Sequence, residues 1–443
     1  MFHRGVSKLL THSDWHHPLP QELKYKVMLT DSASCATDGA LPVTFAPPLE
    51  PGALRAIERQ LHLRFNKWDT QVGDVSVLCE HPLVMRGSEW DRICAAAEAL
   101  AAETKQMEAR TLDSSRDLSE IGVPRKLREI LRRSAGSATS NLRVMRFDFH
   151  YTESGWRVSE VNSDVPGGWR EGASLPQLYR PLYSSLDCPD SPLEAWGRAI
   201  ESITARGHVA LLSAPGYLED QQVLRTFRTE LAARRIASSL IQTPAALEWT
   251  QTGGCRLSGS GVAVSAIIRF YQIEWLCALS SHTRWRRLLE SRDVPVFNPT
   301  ISAISESKRF PLLLSDSKIC PTWHALVPEC RDPREISSGW DSWVLKACYS
   351  NTGDRVLIVG DLPRKEREQA IRTAQRRASE WVAQRRFTTI PLETSRGPVF
   401  PCVGVFVVRG RAAGAYVRLS AHQVTDGAAL EAPLLIDRTE RCS

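Results

Sequence analysis

Between Leu142 and Trp169 the chain reads LRVMRFDFHYTESGWRVSEVNSDVPGGW, and no other stretch limits the fold as tightly. Apolar and polar side chains alternate over 144–149 and again over 156–161, the period of a strand with one face toward a core. Glu153, Ser154 and Gly155 supply turn chemistry between the two runs, so a β-hairpin is predicted. Alternation places Arg146 and Asp148 on one face of the first strand, and Glu160 and Asn162 on one face of the second. If the strands pair through that turn, two carboxylates, a carboxamide and a guanidinium share one patch. The first three are hard oxygen ligands of the kind Mg²⁺ takes, and the fourth is a fixed positive charge, a set suited to a metal-bound phosphate. The competing reading is an ordinary solvated hairpin face, which the same alternation supports.

With 443 residues, the chain exceeds the size at which one hydrophobic core stops growing, about 250 to 300 residues, so two or three structural units are expected. Its formal charge of +6 is spread over many arginines and is modest for this length. That charge permits nucleic-acid contact, but no aromatic platform or recognised motif argues for it, and no nucleic-acid partner is expected. The 11 cysteines are scattered, without Cys-x-x-Cys pairs or zinc spacing, which points to reduced thiols and a cytoplasmic protein. The opening MFHRGVSKLLTHSDWHH carries no apolar run of signal-peptide type. The longest apolar region, 261–279, is interrupted by Arg269 and Glu274, so no membrane span is expected.

Taken in order, residues 1–50 are expected to be mostly loop. Leu54, Ile57 and Leu61 then mark one helical face, the Ala-rich run 90–110 a second helix, and 124–133 a third with a basic outer side. Beyond the hairpin, Asp190-Ser191-Pro192 is a helix start and Gly207 a stop. A strand at 208–213, an amphipathic helix at 219–235 and a strand at 236–242 make a parallel βα unit, and 262–271 adds a strand before a helical run at 273–290. The loop after the first of these strands is not Gly-x-Gly-x-x-Gly, so no dinucleotide is expected there. Farther on, Lys308 is placed on a helix and Lys346 at the end of an apolar strand. From there the small-residue loop ACYSNTGDR at 347–355 returns into a strand at 356–359. Such a loop lets backbone N–H groups fold over phosphate oxygens while a lysine reaches in as a point charge. A long helix at 363–382 precedes Gln384, and a hairpin of 402–409 with 413–420 closes an α/β chain.

Arg146-x-Asp148, Glu160-x-Asn162 and Asp164-x-Pro166 together resemble the metal-binding segment of the glutathionylspermidine synthase family, and the resemblance extends over 143–435. It implies a circularly permuted ATP-grasp fold. The mainly helical N-terminal region would be 1–135, the metal-carrying hairpin segment 136–206, a small Rossmann-like parallel-sheet domain 207–298, and the nucleotide-binding lobes 299–443. ATP and Mg²⁺ are the cofactors implied, with Asp148, Glu160 and Asn162 as metal ligands and Arg146 as the clamp on the transferring phosphoryl group. Lys308 and Lys346 would meet the nucleotide phosphates, Ser350, Asn351, Thr352 and Gly353 would form the tip of a phosphate lid, Gln384 would face the adenine, and Arg418 would lie near phosphates or substrate. Arg269 is assigned only a place near substrate. The activity implied is a carboxylate–amine ligase working through an acyl phosphate on small-molecule acid and amine substrates. The chain departs from the family in having Ala347 after the strand lysine and a single lid glycine, Gly353, which keeps a rival reading open: an ATP-binding relic with a regulatory or scaffolding role. Cys79 and His81 match no amidase domain of that family, and no amidase is expected.

Overall fold

The predicted hairpin forms, as strands Val144–Thr152 and Gly155–Asn162, and its register sets Arg146 opposite Asn162 and Asp148 opposite Glu160. Gly155 takes φ +89, a conformation that suits glycine, and turns the chain between them. The computed structural model describes residues 41–72, 75–134, 142–314, 318–350 and 355–439. Expectations for residues 1–40, and for Asn351, Thr352 and Gly353, lie outside the described residues.

One detail of the hairpin departs from simple alternation. Phe149 pairs with Val158 while Asp148 pairs with Glu160, so Ser159 is an extra residue, a β-bulge. Trp156, Val158 and Val161 are all buried although their spacing steps from two to three. The bulge absorbs that step: it keeps Val161 on the core side and leaves Glu160 and Asn162 beside Asp148 and Arg146.

The hairpin is the edge of a six-stranded sheet ordered Leu430–Ala432, Arg411–Ser420, Gly397–Val408, Val144–Thr152, Gly155–Asn162, with Leu392–Thr394 paired to the Gly397–Val408 strand. Gly404 lies opposite Asp148, and a Cβ there would come within 2.8 Å of both Arg146 Cδ and Asp148 Oδ1. The missing side chain is what leaves room for those two groups. Behind the sheet, helices Trp169–Tyr179, Pro192–Thr204 and Leu218–Ala233 contribute to a shared hydrophobic core. Trp196 stacks on Phe227 at 4.2 Å and Trp169 meets Phe227 edge-on at 5.1 Å, each aromatic pair being worth about 0.5–1.5 kcal/mol beyond its buried area.

Two further sheets frame the hairpin. In one, His208–Ser213 runs parallel to Ser238–Ile241 and to Ala263–Phe270, as the βα pattern predicts. In the other, Trp343–Ala347 lies between Trp381–Arg385 and Val356–Ile358, all antiparallel. Between Pro42 and Arg86 the helix Pro51–Arg64 forms, but Val43–Phe45 is a strand rather than loop. Among the described residues no helix is long and apolar enough to cross a membrane.

Three expectations are corrected. The helical run at 273–290 is broken into Ile273–Ala278 and Trp285–Leu289, because the Ser280 hydroxyl accepts from the His282 N–H and starts a separate turn. The helix predicted to reach residue 382 ends at Arg376, since Trp381 and Val382 are captured by pairing with Ala347 and Lys346. Lys308 is not on a helix: helix Ser302–Glu306 stops two residues earlier.

Candidate functional site

Asp148 is 1% exposed and receives four hydrogen bonds. Arg146 donates to it twice, Nε to Oδ1 at 2.8 Å and Nη2 to Oδ2 at 3.1 Å; Asn162 Nδ2 donates to Oδ2 at 3.1 Å and Arg418 Nη2 to Oδ2 at 2.7 Å. Burial opposes its charge, but Arg146 and then Arg418 outweigh burial and hold the carboxyl well below the usual carboxylate range. Arg418 therefore sits on Asp148, and its Nη2 also lies 3.3 Å from Cys402 Sγ.

Glu160, next in that cross-strand row, opens onto a recess of about 340 Å³, solvent at its mouth included. Lys308 and Lys346, Gln384, Ser159 and Glu306 supply polar lining, while Phe310, Trp323 and Val327 supply apolar wall. Glu160 Oε2 is 3.2 Å from Lys308 Nζ, which donates to the Ser350 carbonyl at 2.8 Å. Lys346 Nζ donates to the Ser159 carbonyl at 3.0 Å and Gln384 Nε2 to the same oxygen at 3.3 Å. Burial resists ionisation of Glu160, yet Lys308 pulls its pKa below the usual value. Burial likewise opposes the Lys308 charge, and Glu160 and Glu306 overturn that and raise it. Lys346 is different: burial dominates and lowers it, with Glu160 offsetting only part. Lys308 and Lys346 thus meet Glu160 and Glu306 at the recess, while Arg146, Asp148, Asn162 and Arg418 are grouped in the adjoining rows and do not line it.

The oxygen set fits a hard divalent cation in type. Asp148 and Glu160 offer carboxylates, and Asn162, whose amide nitrogen is used on Asp148, offers its amide oxygen. Among the described residues no three His, Cys, Asp or Glu side chains group as a metal site, so the amide is needed to complete a triad. Asp148 already carries about as many hydrogen bonds as a carboxylate has lone-pair sites, so to meet a cation it would have to give up an arginine contact.

Several residues escaped sequence reasoning. Ser159 aims its carbonyl at Lys346 and Gln384 because of the bulge, and the 156, 158, 161 spacing of apolar residues was its only signal. His150, buried and pushed down to about 4 chiefly by desolvation, stands 3.1 Å from the Ser159 hydroxyl and braces the bulge. Glu306, raised to about 7 by burial and then by Asp164, accepts from the Ser163 and Asp164 N–H groups. Arg269 is fully buried and paired with Asp164.

The family model described as glutathionylspermidine synthase preATP-grasp matches residues 57–437. Among solved structures, a glutathione synthetase-like effector from Globodera pallida in its apo form aligns with a TM-score of 0.61 at 11% identity, over 86% of this chain and 95% of that one. At that identity the likeness bears on the fold, which is mixed α/β and glutathione synthetase-like. No curated protein matches the sequence.

Proposed function

The chain belongs to the glutathionylspermidine synthase preATP-grasp family, and from that premise we propose that it is an ATP-dependent ligase joining a carboxylate to an amine through an acyl phosphate. The observation that carries this reading is the half-apolar recess into which Lys308, Lys346, Glu160 and Gln384 converge, one cross-strand step from Asp148 with its two arginines, a grouping that suits a nucleotide and its metal. In this reading the fold is a circularly permuted ATP-grasp, with 207–298 as its small Rossmann-like domain and 299–443 as its nucleotide-binding lobes.

The apolar wall of Phe310, Trp323 and Val327 would take the adenine, with the Gln384 carboxamide at its edge. Lys308 and Lys346 would hold the phosphates, and a polyanion beside Lys346 would restore the charge that burial weakens. Arg146 would neutralise the group in transfer and then the acyl phosphate, with Arg418 as a second positive group. Asp148, Glu160 and the Asn162 oxygen would hold Mg²⁺, which supplies charge neutralisation on phosphate oxygens. In the second half-reaction a C–N bond forms as the acyl C–O bond to phosphate breaks, and the amine loses a proton. No nucleophilic side chain is required. The test is ADP release with Mg²⁺, ATP and pools of amino acids, polyamines and small peptides. Glu160→Ala is expected to abolish a signal that the wild-type protein gives, and unchanged turnover would refute the assignment.

A second reading, nucleotide binding without ligation, is favoured by the full set of hydrogen bonds that Asp148 makes within the protein and by the structural neighbour's being an effector. ATP binding with no ADP formed across the whole panel would select it.

A further inference from the structure

Tyr416, Gly404, Asp148 and Glu160 form one cross-strand row, with the small Gly404 separating the tyrosine ring from the carboxylate. The ring faces two guanidiniums across that gap: Arg146 Cζ lies 5.5 Å and Arg418 Cζ 5.3 Å from its centroid. We propose that Tyr416 is a positioning residue that holds Arg146 and Arg418 together at Asp148, and that it keeps them in place when Asp148 turns to a cation. The kinetic part of this proposal rests on the ligase reading; the geometric part does not.

The need arises from charge. Two like-charged groups converge on one carboxylate, and whatever draws Asp148 away removes the anion that offsets their repulsion. The π face attracts both cations and carries no charge that a metal or phosphate would compete for. The ring itself is fixed. Its hydroxyl donates to Glu431 Oε1 at 3.3 Å, Glu431 Oε2 is 2.8 Å from Lys67 Nζ, and Lys67 donates to Glu171 Oε1 at 2.7 Å. On the other side Gly168, at φ +85, approaches so closely that a Cβ would fall 2.2 Å from Tyr416 Cδ1, and the carbonyl of Gly167 accepts from Arg146 Nη1 at 2.7 Å. One glycine turn therefore seats both the ring and one of the arginines. Like Arg146, Asp148 and Arg418, Tyr416 is not among the residues that line the recess at Glu160, so its influence there runs through the row it belongs to.

The experiment compares Tyr416→Leu with Tyr416→Phe by crystal structure and by steady-state ADP release. In Tyr416→Leu at least one guanidinium is expected to leave Asp148, and kcat to fall about tenfold or more with KM for ATP changed by less than about threefold, because the lost order matters most for the group in transfer. Tyr416→Phe keeps the ring and is expected to stay within about threefold of wild type. If the leucine variant does not fold, Tyr416→Met, unbranched and longer at similar volume, adapts to the space along the ring without a π face and gives the same comparison. Both arginines still paired to Asp148 without the ring, an unchanged kcat, or a phenylalanine variant as impaired as leucine would each overturn the proposal. Should wild-type protein release no ADP with any acid and amine, the ligase reading fails, and the crystal structures alone decide the positioning role.

Discussion

Asp148 and Asp164 lie in the same short segment, both buried and both gripped by an arginine through two hydrogen bonds, yet their surroundings differ. Around Asp164 the carboxylate is held entirely within the protein. Arg269 pairs with it, Ser302 Oγ donates at 2.8 Å and the Ile273 N–H at 2.9 Å, while Arg269 also donates to the carbonyls of Tyr271 and Asn298 and leaves its Nε without a partner. Around Asp148 more charge collects: a second arginine joins the first, two lysines and Glu306 stand beyond Glu160, and a recess opens at Glu160. A buried ion pair is weak evidence of function, since structural pairs look alike at the level of one contact. Charge gathered next to open space is the better sign.

The sharpest way to break this contrast is to remove each carboxylate. Asp148→Ala is expected to abolish ADP release, a loss of about 10³-fold or more, while circular dichroism and a cooperative melt show the protein still folded, at a lowered midpoint because Arg146 and Arg418 lose their counter-charge. If that variant keeps turnover, the distinction between the two aspartates fails. Asp164→Ala should leave turnover of the folded protein in place and unfold the chain more easily, by about 3–5 kcal/mol in a urea titration, because Arg269 is left buried without its counter-charge. The pKa of Asp164 is lowered, burial opposing and Arg269 prevailing, so the stability it contributes is present above the ordinary carboxylate range and is lost as pH falls through it.

A third carboxylate extends the comparison to one without an arginine grip. Asp220 is buried, its Oδ2 has no hydrogen-bond partner, and desolvation followed by Glu219 pushes it up to about 8. The folded state then holds a proton that the unfolded chain gives up, so its contribution to stability falls as pH rises from the ordinary carboxylate range toward 8. Asp220→Asn is expected to melt above wild type at pH 9, by about 1–3 kcal/mol in stability, with the gap closing toward pH 5; a gap independent of pH would contradict this. The smallest effect is expected at the recess edge, where Gln384→Ala should raise KM for ATP about threefold to tenfold, the worth of one hydrogen bond, and leave the melt unchanged.

Much of the hairpin was legible because strand alternation is a local property: Arg146, Asp148, Glu160 and Asn162 could be placed on one face from spacing alone, and the register bears that placement out. The strand ending near Lys346 and its antiparallel return were legible for the same reason. Misreadings fell where local pattern and tertiary pairing compete. Trp381 and Val382 continue a helical period in sequence, but a neighbouring strand offers them a ladder, and the ladder wins. Arg418 could be marked as a cation near the site, though not as the partner of Asp148, because Cys402 and Gly404 had first to bring its strand alongside.

What the amino-acid order determined by itself is chemistry and facing: which oxygens and cations exist, and which of them share the side of a strand. Only the fold decided their company. It set the glycine gap beneath Asp148, the bulge that turns the Ser159 carbonyl toward Lys346 and Gln384, and the apolar wall of Phe310 and Trp323. It also sealed Arg269 against Asp164 in the interior. The reason is physical: periodicity is written along the chain, whereas charge balance and cavities belong to groups brought together from distant parts of it, and no local spacing encodes them.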